Sequence, residues 1–267
     1  MEQTHWTTRL GWLVFALLCL SFAQPSLASN LDWKLNASLN YESGKYGTTT
    51  RSSSLYVPFT VKRSWGDWYT SMTVPYLSQT SNGQVRNIDG RPVKIGRGRG
   101  STTSTTQSGL GDIVARGGYA LMKDDPQPLD LTAVAKLKLP TADKNKGLGT
   151  GEFDAGLGLE FGKLVVPGWT VLADAYYTKI GDPPGTDLNN QVALDVGFSH
   201  LLQKNMTLTV LLEGSNALVS GEADSRDIRA ILDYRLDEQF GAYAGGLVGL
   251  SDGSPDFGFS LGGSCRF

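Results

Sequence analysis

The chain has 267 residues, a formal net charge of −2, only 19% charged residues and 33 glycines. A near-neutral balance argues against a nucleic-acid partner, and no apolar stretch beyond the N-terminal region is long enough for a membrane-spanning helix. Low charge with abundant Gly, Ser, Thr and aromatic residues suits an all-β protein.

The N-terminus predicts export. Met1 to Arg9 is short and polar, Leu10 to Phe22 is apolar, Pro25 breaks the run, and Ser26-Leu27-Ala28 places small residues where a signal peptidase reads. Residues 1–28 are therefore expected to be a cleaved secretory signal peptide. A retained anchor is the alternative, but the run is short and no basic flank follows it. Leu18 before Cys19 argues against a lipoprotein site. The mature chain, Ser29 to Phe267, then holds Cys265 alone, on the apolar face of a strand, where it serves as a small hydrophobe.

From Leu31 onward the chain alternates with period 2. Leu31, Trp33, Leu35, Ala37, Leu39 and Tyr41 oppose Asp32, Lys34, Asn36, Ser38 and Asn40. Leu55 to Val61 and Trp68 to Tyr76 repeat the pattern, although Pro58 removes a ladder donor in mid-strand. Ser78 to Ser108 has no periodicity. Alternation resumes at Ile113–Leu121, Leu129–Leu139, Phe153–Phe161, Trp169–Tyr177, Val192–Phe198, Leu208–Leu212, Ile228–Tyr234, Phe240–Val248 and Phe257–Phe267. Each segment approaches the length a tilted membrane strand needs, and short turns alternate with long loops. Trp33, Trp68, Trp169, Phe240 and Phe267 fall at one set of strand ends. Tyr41, Tyr76, Phe153, Tyr177 and Phe257 fall at the other. Two aromatic girdles mark the two interfaces of a bilayer. The predicted fold is a closed antiparallel up-and-down transmembrane β-barrel of about twelve strands, residues 29–267, entered from the periplasmic side. A soluble sandwich is the alternative. The last strand is expected to pair with the first, and Phe267 is the candidate assembly signal, read by the barrel-assembly machinery.

The polar parity gives the candidate lumen-lining residues: Asp112, Arg116, Lys136, Lys138, Asp154, Glu160, Asp174, Asp195, Glu213, Arg229, Asp233 and Arg235. These charges either select a solute along a path or fill the lumen by pairing. Gly156, Gly158, Gly197, Gly258 and Gly262 share that face and leave space, which favours a path. The long segment offers the basic candidates Arg86, Arg91, Lys94, Arg97 and Arg99. They point to a loop folded over the mouth, to lipopolysaccharide phosphates, or to a solvated mobile loop. His200 is the one histidine of the mature chain. Ser199 beside it points to the opposite face, so the two form no dyad, and a hydrolase would need a partner from another strand. No Cys/His metal cluster is present.

Gly109-Leu110-Gly111-Asp112, Ala120-Leu121, Leu137-Lys138-Leu139-Pro140-Thr141, the loop Gly147 to Gly151 and Phe153-Asp154-Ala155-Gly156 occur in this order. The set resembles the MetA-pathway phenol-degradation family of outer-membrane transporters. It is concentrated in Gly109 to Phe161 and extends weakly to Asp256-Phe257-Gly258. The resemblance implies a barrel passing small, aromatic or hydrophobic compounds, and it carries over no catalytic residues. The expected function is a passive outer-membrane channel for a small solute: a monomer in contact with outer-membrane lipid and lipopolysaccharide, with no cofactor, no metal, no nucleic-acid partner and no plug domain ahead of Leu31. The alternatives are a non-conducting structural or surface-binding barrel and an outer-membrane hydrolase centred on His200.

Overall fold

Alternating sequences form strands because successive side chains leave a pleated backbone on opposite faces. In the computed structural model, which describes residues 32–95, 103–123 and 129–267, they do so throughout. The predicted signal segment, with Cys19, lies outside the described residues. The strands are β1 (Trp33–Gly44), β2 (Ser52–Trp65), β3 (Trp68–Ser81), β4 (Val85–Ile88), β5 (Arg91–Lys94), β6 (Thr105–Leu110), β7 (Ile113–Met122), β8 (Leu129–Leu139), β9 (Asp154–Val166), β10 (Trp169–Lys179), β11 (Gln191–Gln203), β12 (Met206–Ser215), β13 (Ser225–Arg235), β14 (Phe240–Gly249) and β15 (Phe257–Arg266). Each wall strand pairs antiparallel with its neighbours, and β15 returns to β1. β6 and β7 are two halves of one wall strand against β3, and β4 with β5 forms a separate hairpin. The wall is therefore a closed ring of twelve antiparallel strands.

The outward face is a belt of Leu, Val, Phe and Met exposed around the whole ring. Trp33, Trp68 and Trp169 mark the short-turn rim, and Tyr76, Phe153, Tyr177 and Phe257 mark the long-loop rim. Trp68 packs on Tyr119 with ring centroids 4.5 Å apart. His200 stacks on Trp169 at 4.0 Å, and its Nδ1 lies 3.1 Å from the Gly168 carbonyl. Its imidazole thus belongs to the outward aromatic girdle.

Two prolines mark where the ladder gives way. Pro58 faces Pro75 across β2 and β3, and the β1–β2 register skips from Ala37↔Phe59 to Asn40↔Tyr56 around it. On the other side of β3 the register passes from Thr73↔Val114 to Tyr76↔Leu110. Two residues there oppose three, a β-bulge. Proline has no N–H to offer a neighbouring strand, so both interruptions fall where the donor is missing. The Gly111 amide still donates to the Pro75 carbonyl at 2.9 Å. A Cβ on Gly111 would come within 2.9 Å of the proline ring, so the bulge requires glycine.

Inner-face glycines do not leave space, contrary to the expectation from sequence. Tyr176 lies over Gly158, Tyr243 over Gly262 and Tyr69 over Gly118, each a direct cross-strand pair. A Cβ on any of the three would fall within 2.3 Å of the facing ring. The glycine gives room for an inward tyrosine to lie flat on the wall.

Ring closure ends at the last residue. The Phe267 amide donates to the Trp33 carbonyl at 3.0 Å, and the Trp33 amide donates to the Phe267 carbonyl at 3.1 Å. Deleting Phe267 removes both bonds and an apolar side chain from the seam. The truncated protein is expected to reach the membrane fraction at a reduced level with less heat-modifiable folded barrel on gels; normal levels would contradict this.

Candidate functional site

The segment read as aperiodic is not a surface loop. Its ends extend the wall as β3 and β6, and its middle folds back as the β4–β5 hairpin. The turn is Asp89-Gly90, with φ of +51° and +87°. Positive φ at both central residues is the type I′ geometry that matches strand twist, and an Asp-Gly pair favours it. Gly90 also approaches Tyr56 so closely that a Cβ would meet its ring at 3.0 Å.

The hairpin crosses the lumen. On one side Asp89 accepts from Lys136 of β8 at 2.6 Å and lies 3.5 Å from Arg116 of β7. On the other, Arg91 forms a short ion pair with Glu213 of β12 and lies 3.7 Å from Asp227 of β13. β7 and β13 stand on opposite sides of the ring. Burial opposes the Arg91 charge, and the carboxylates of Glu213, Asp227 and Glu42 outweigh it, so its pKa lies above the ordinary guanidinium value. Higher up, Lys94 pairs with Glu222 at 2.7 Å. Ile88, Ile95 and Val93 join Ile180, Leu188, Leu218 and Val219 in an apolar cluster under the long loops. The hairpin is thus anchored by burial at its base and by charge at its tip.

A cavity of ≈ 240 Å³ runs beside the hairpin. Arg116 and Lys136 line it from β7 and β8, Asp174, Asp195 and Asp227 from β10, β11 and β13, and Tyr176 and Glu42 from β10 and β1. Glu160 accepts from the Tyr176 hydroxyl, and Asp174 accepts from the Phe161 amide at 3.3 Å. Glu213 also holds Arg229 at 3.1 Å, and Arg229 reaches Glu42 at 3.6 Å.

A second charged group sits at the long-loop rim. Lys138, whose side chain is 1% exposed, lies 2.9 Å from Asp154 and 3.3 Å from Asp112, and donates to the Thr150 hydroxyl at 2.9 Å. Asp112 also accepts from the Ala142 amide at 2.9 Å. A Cβ on Gly149 would strike Asp112 at 2.7 Å. The Gly-Leu-Gly-Asp, Leu-Lys-Leu-Pro-Thr, Gly-rich and Phe-Asp-Ala-Gly stretches therefore converge on one buried cluster. It ties the Pro140–Phe153 loop to the wall, and these three residues do not face the cavity.

The remaining sequence candidates separate in the same way. Asp233 lies on the inner face of the short-turn half, while Arg235 donates to the Lys204 carbonyl at 2.7 Å, at the rim. Arg91 and Lys94 are inside the barrel mouth, so the lipopolysaccharide reading does not hold for them. Arg86 lines a cleft with Lys144 and Thr150. Arg97 and Arg99 lie outside the described residues. Sequence reading missed Glu42, one residue beyond the alternating run that ends at Tyr41; β1 continues to Gly44 and brings it to the cavity. It missed Asp227, although its parity opposite Ile228 places it inside. It missed Asp89, although Asp-Gly between short apolar runs is a hairpin signal. Among the described residues no cluster of His, Cys, Asp and Glu is arranged to hold a metal.

The family model described as "Putative MetA-pathway of phenol degradation" matches residues 92–267. The chain belongs to this family. No curated protein sequence matches it. Among solved structures, an outer membrane channel from Pseudomonas putida F1 is similar with a TM-score of 0.64 and 13% identity, covering 90% of this chain and 97% of that one. The NanC porin is similar with a TM-score of 0.56 and 13% identity, covering 87% and 100%. The translocator domain of the autotransporter NalP from Neisseria meningitidis gives 0.55 and 12%, covering 98% and 97%. These likenesses establish the outer-membrane barrel fold. The shared fold spans channels and an autotransporter domain alike.

The Lys138 cluster is a stability element. Lys138→Met leaves two buried carboxylates without their cation, a loss of about 3–5 kcal/mol for a broken buried pair. The variant is expected to unfold at clearly lower denaturant concentration in detergent, followed by tryptophan fluorescence. Lys138→Arg, which keeps the charge, should recover part of the loss.

Proposed function

We propose that the protein is a passive outer-membrane channel for small solutes, exported through a signal at residues 1–28, with the β4–β5 hairpin setting its aperture. The observation that carries this reading is a lumen crossed by a hairpin rather than packed full. Charged side chains from opposite walls face the ≈ 240 Å³ cavity beside it. Eight strands leave room only for side chains and sixteen leave a wide channel, so twelve suit a narrow path with one constriction. A purely structural filling would pair every charge, yet among the described residues Asp174 and Asp195 have no cation at ion-pair distance.

The family description supports an aromatic or hydrophobic solute, while the cavity lining of Asp, Arg, Lys and Tyr supports a polar one. We favour the polar solute, because burying an apolar molecule there offers nothing in return for displaced water around the charges. The hydrolase reading loses support, since His200 faces outward and is stacked on Trp169. The long loops are assigned to the cell exterior, facing lipopolysaccharide, and the protein to a monomer assembled by the barrel machinery.

The refolded protein in a planar bilayer is expected to give discrete ion conductance. Replacing Val85–Lys94 by a short Gly-Ser linker should raise it severalfold. Silence to ions in both forms would remove the channel reading in favour of a structural barrel.

A further inference from the structure

Two rows of like charge run along the inner wall, although β13 also carries Arg229, bonded to Glu213, and β1 also carries Glu42. Glu160↔Asp174, Asp174↔Asp195, Asp195↔Glu213 and Glu213↔Asp227 are all direct cross-strand partners. Five carboxylates therefore form one unbroken row over the adjacent strands β9 to β13. On the other arc, Lys136↔Arg116, Arg116↔Ser71, Ser71↔Lys62, Lys62↔Lys34 and Lys34↔Arg266 are likewise partners. That row crosses β8, β7, β3, β2, β1 and β15 and is cationic at every position but Ser71.

Like charges directly opposite in a sheet repel. The row of five is tolerated because Arg91 lies against Glu213 and Asp227 and Arg229 against Glu213, while Asp174 and Asp195 line the cavity. The two rows create a field across the lumen, and low-dielectric walls focus it. The hairpin tip fits that field: its carboxylate, Asp89, sits on the cationic row, and its guanidinium, Arg91, sits on the carboxylate row. The tip is itself a zwitterion, docked with each pole on the opposite wall.

We propose that the lumen selects small zwitterionic solutes carrying one carboxylate and one ammonium or guanidinium group, and that the Asp89–Arg91 tip is their built-in stand-in. This rests on the channel reading above. A solute with one charge is attracted by one wall and repelled by the other. An uncharged solute gains from neither. A zwitterion gains from both and is turned across the passage. Groups for it remain available in the cavity: Arg116 makes a single 3.5 Å contact to Asp89 with a side chain 38% exposed, and Asp174 and Asp195 have no cation partner among the described residues.

The test is the swelling rate of proteoliposomes in 4-aminobutanoate and in 4-hydroxybutanamide, an uncharged molecule of the same shape, each corrected for protein-free liposomes. 4-Aminobutanoate is expected to enter about tenfold faster, the low end of what a focused field does for encounter rates. Asp195→Asn and Arg116→Gln should each bring the ratio down toward one. Equal rates through the unaltered protein would overturn the selection of zwitterions and leave the channel standing. No protein-dependent entry of either solute would overturn both.

Discussion

A hydrocarbon layer offers a backbone amide no water, so every N–H and C=O that crosses it needs a partner within the protein. Everything else in this molecule depends on that demand. It forces the sheet to close, with Lys34 to Ser43 pairing against Phe257 to Arg266. Once closed, the ring fixes which residues look inward. The two proline interruptions at Pro58 and Pro75 show how little slack exists: the second is repaired within a bulge by one amide–carbonyl bond, and only glycine fits beside the ring.

Closure turns local parity into a three-dimensional charge pattern. An inward carboxylate on one strand is harmless or costly according to what the neighbouring register brings beside it. Here the register lines up acids with acids and bases with bases, and the opposition is resolved by the hairpin tip across the lumen and by Arg229 beside Glu213. The Lys138 cluster solves a different problem with the same chemistry. It buries one cation between two carboxylates and holds a loop down instead of lining a passage.

The wall was legible in the sequence because period-2 alternation needs no knowledge of partners, and the girdle aromatics dated each strand end. Parity alone was enough to place Asp174, Asp195 and Glu213 inside. Two things were hidden for physical reasons. The β4–β5 hairpin has four-residue strands surrounded by protein on several sides, so no face alternates, and only its Asp-Gly turn marked it. The charge rows depend on cross-strand register, which is set jointly by turns and bulges such as that at Gly111 and Asp112. The inner glycines misled for a related reason: an empty position in one strand is a recess for the neighbouring strand's tyrosine.

The hairpin's docking partners come from β7 and β8 on one side and from β12 and β13 on the other. These walls become neighbours of the tip only after the ring has closed, although the hairpin precedes all four strands in the chain. Its two ion-paired ends are therefore satisfied together only in the closed ring, where the hairpin spans from one wall to the other. The two strands of residues 85–94 form a sheet separate from the wall ladder, yet they supply counter-charges to Lys136, Arg116, Glu213 and Asp227, so the hairpin is coupled to the wall by charge and burial rather than by backbone pairing.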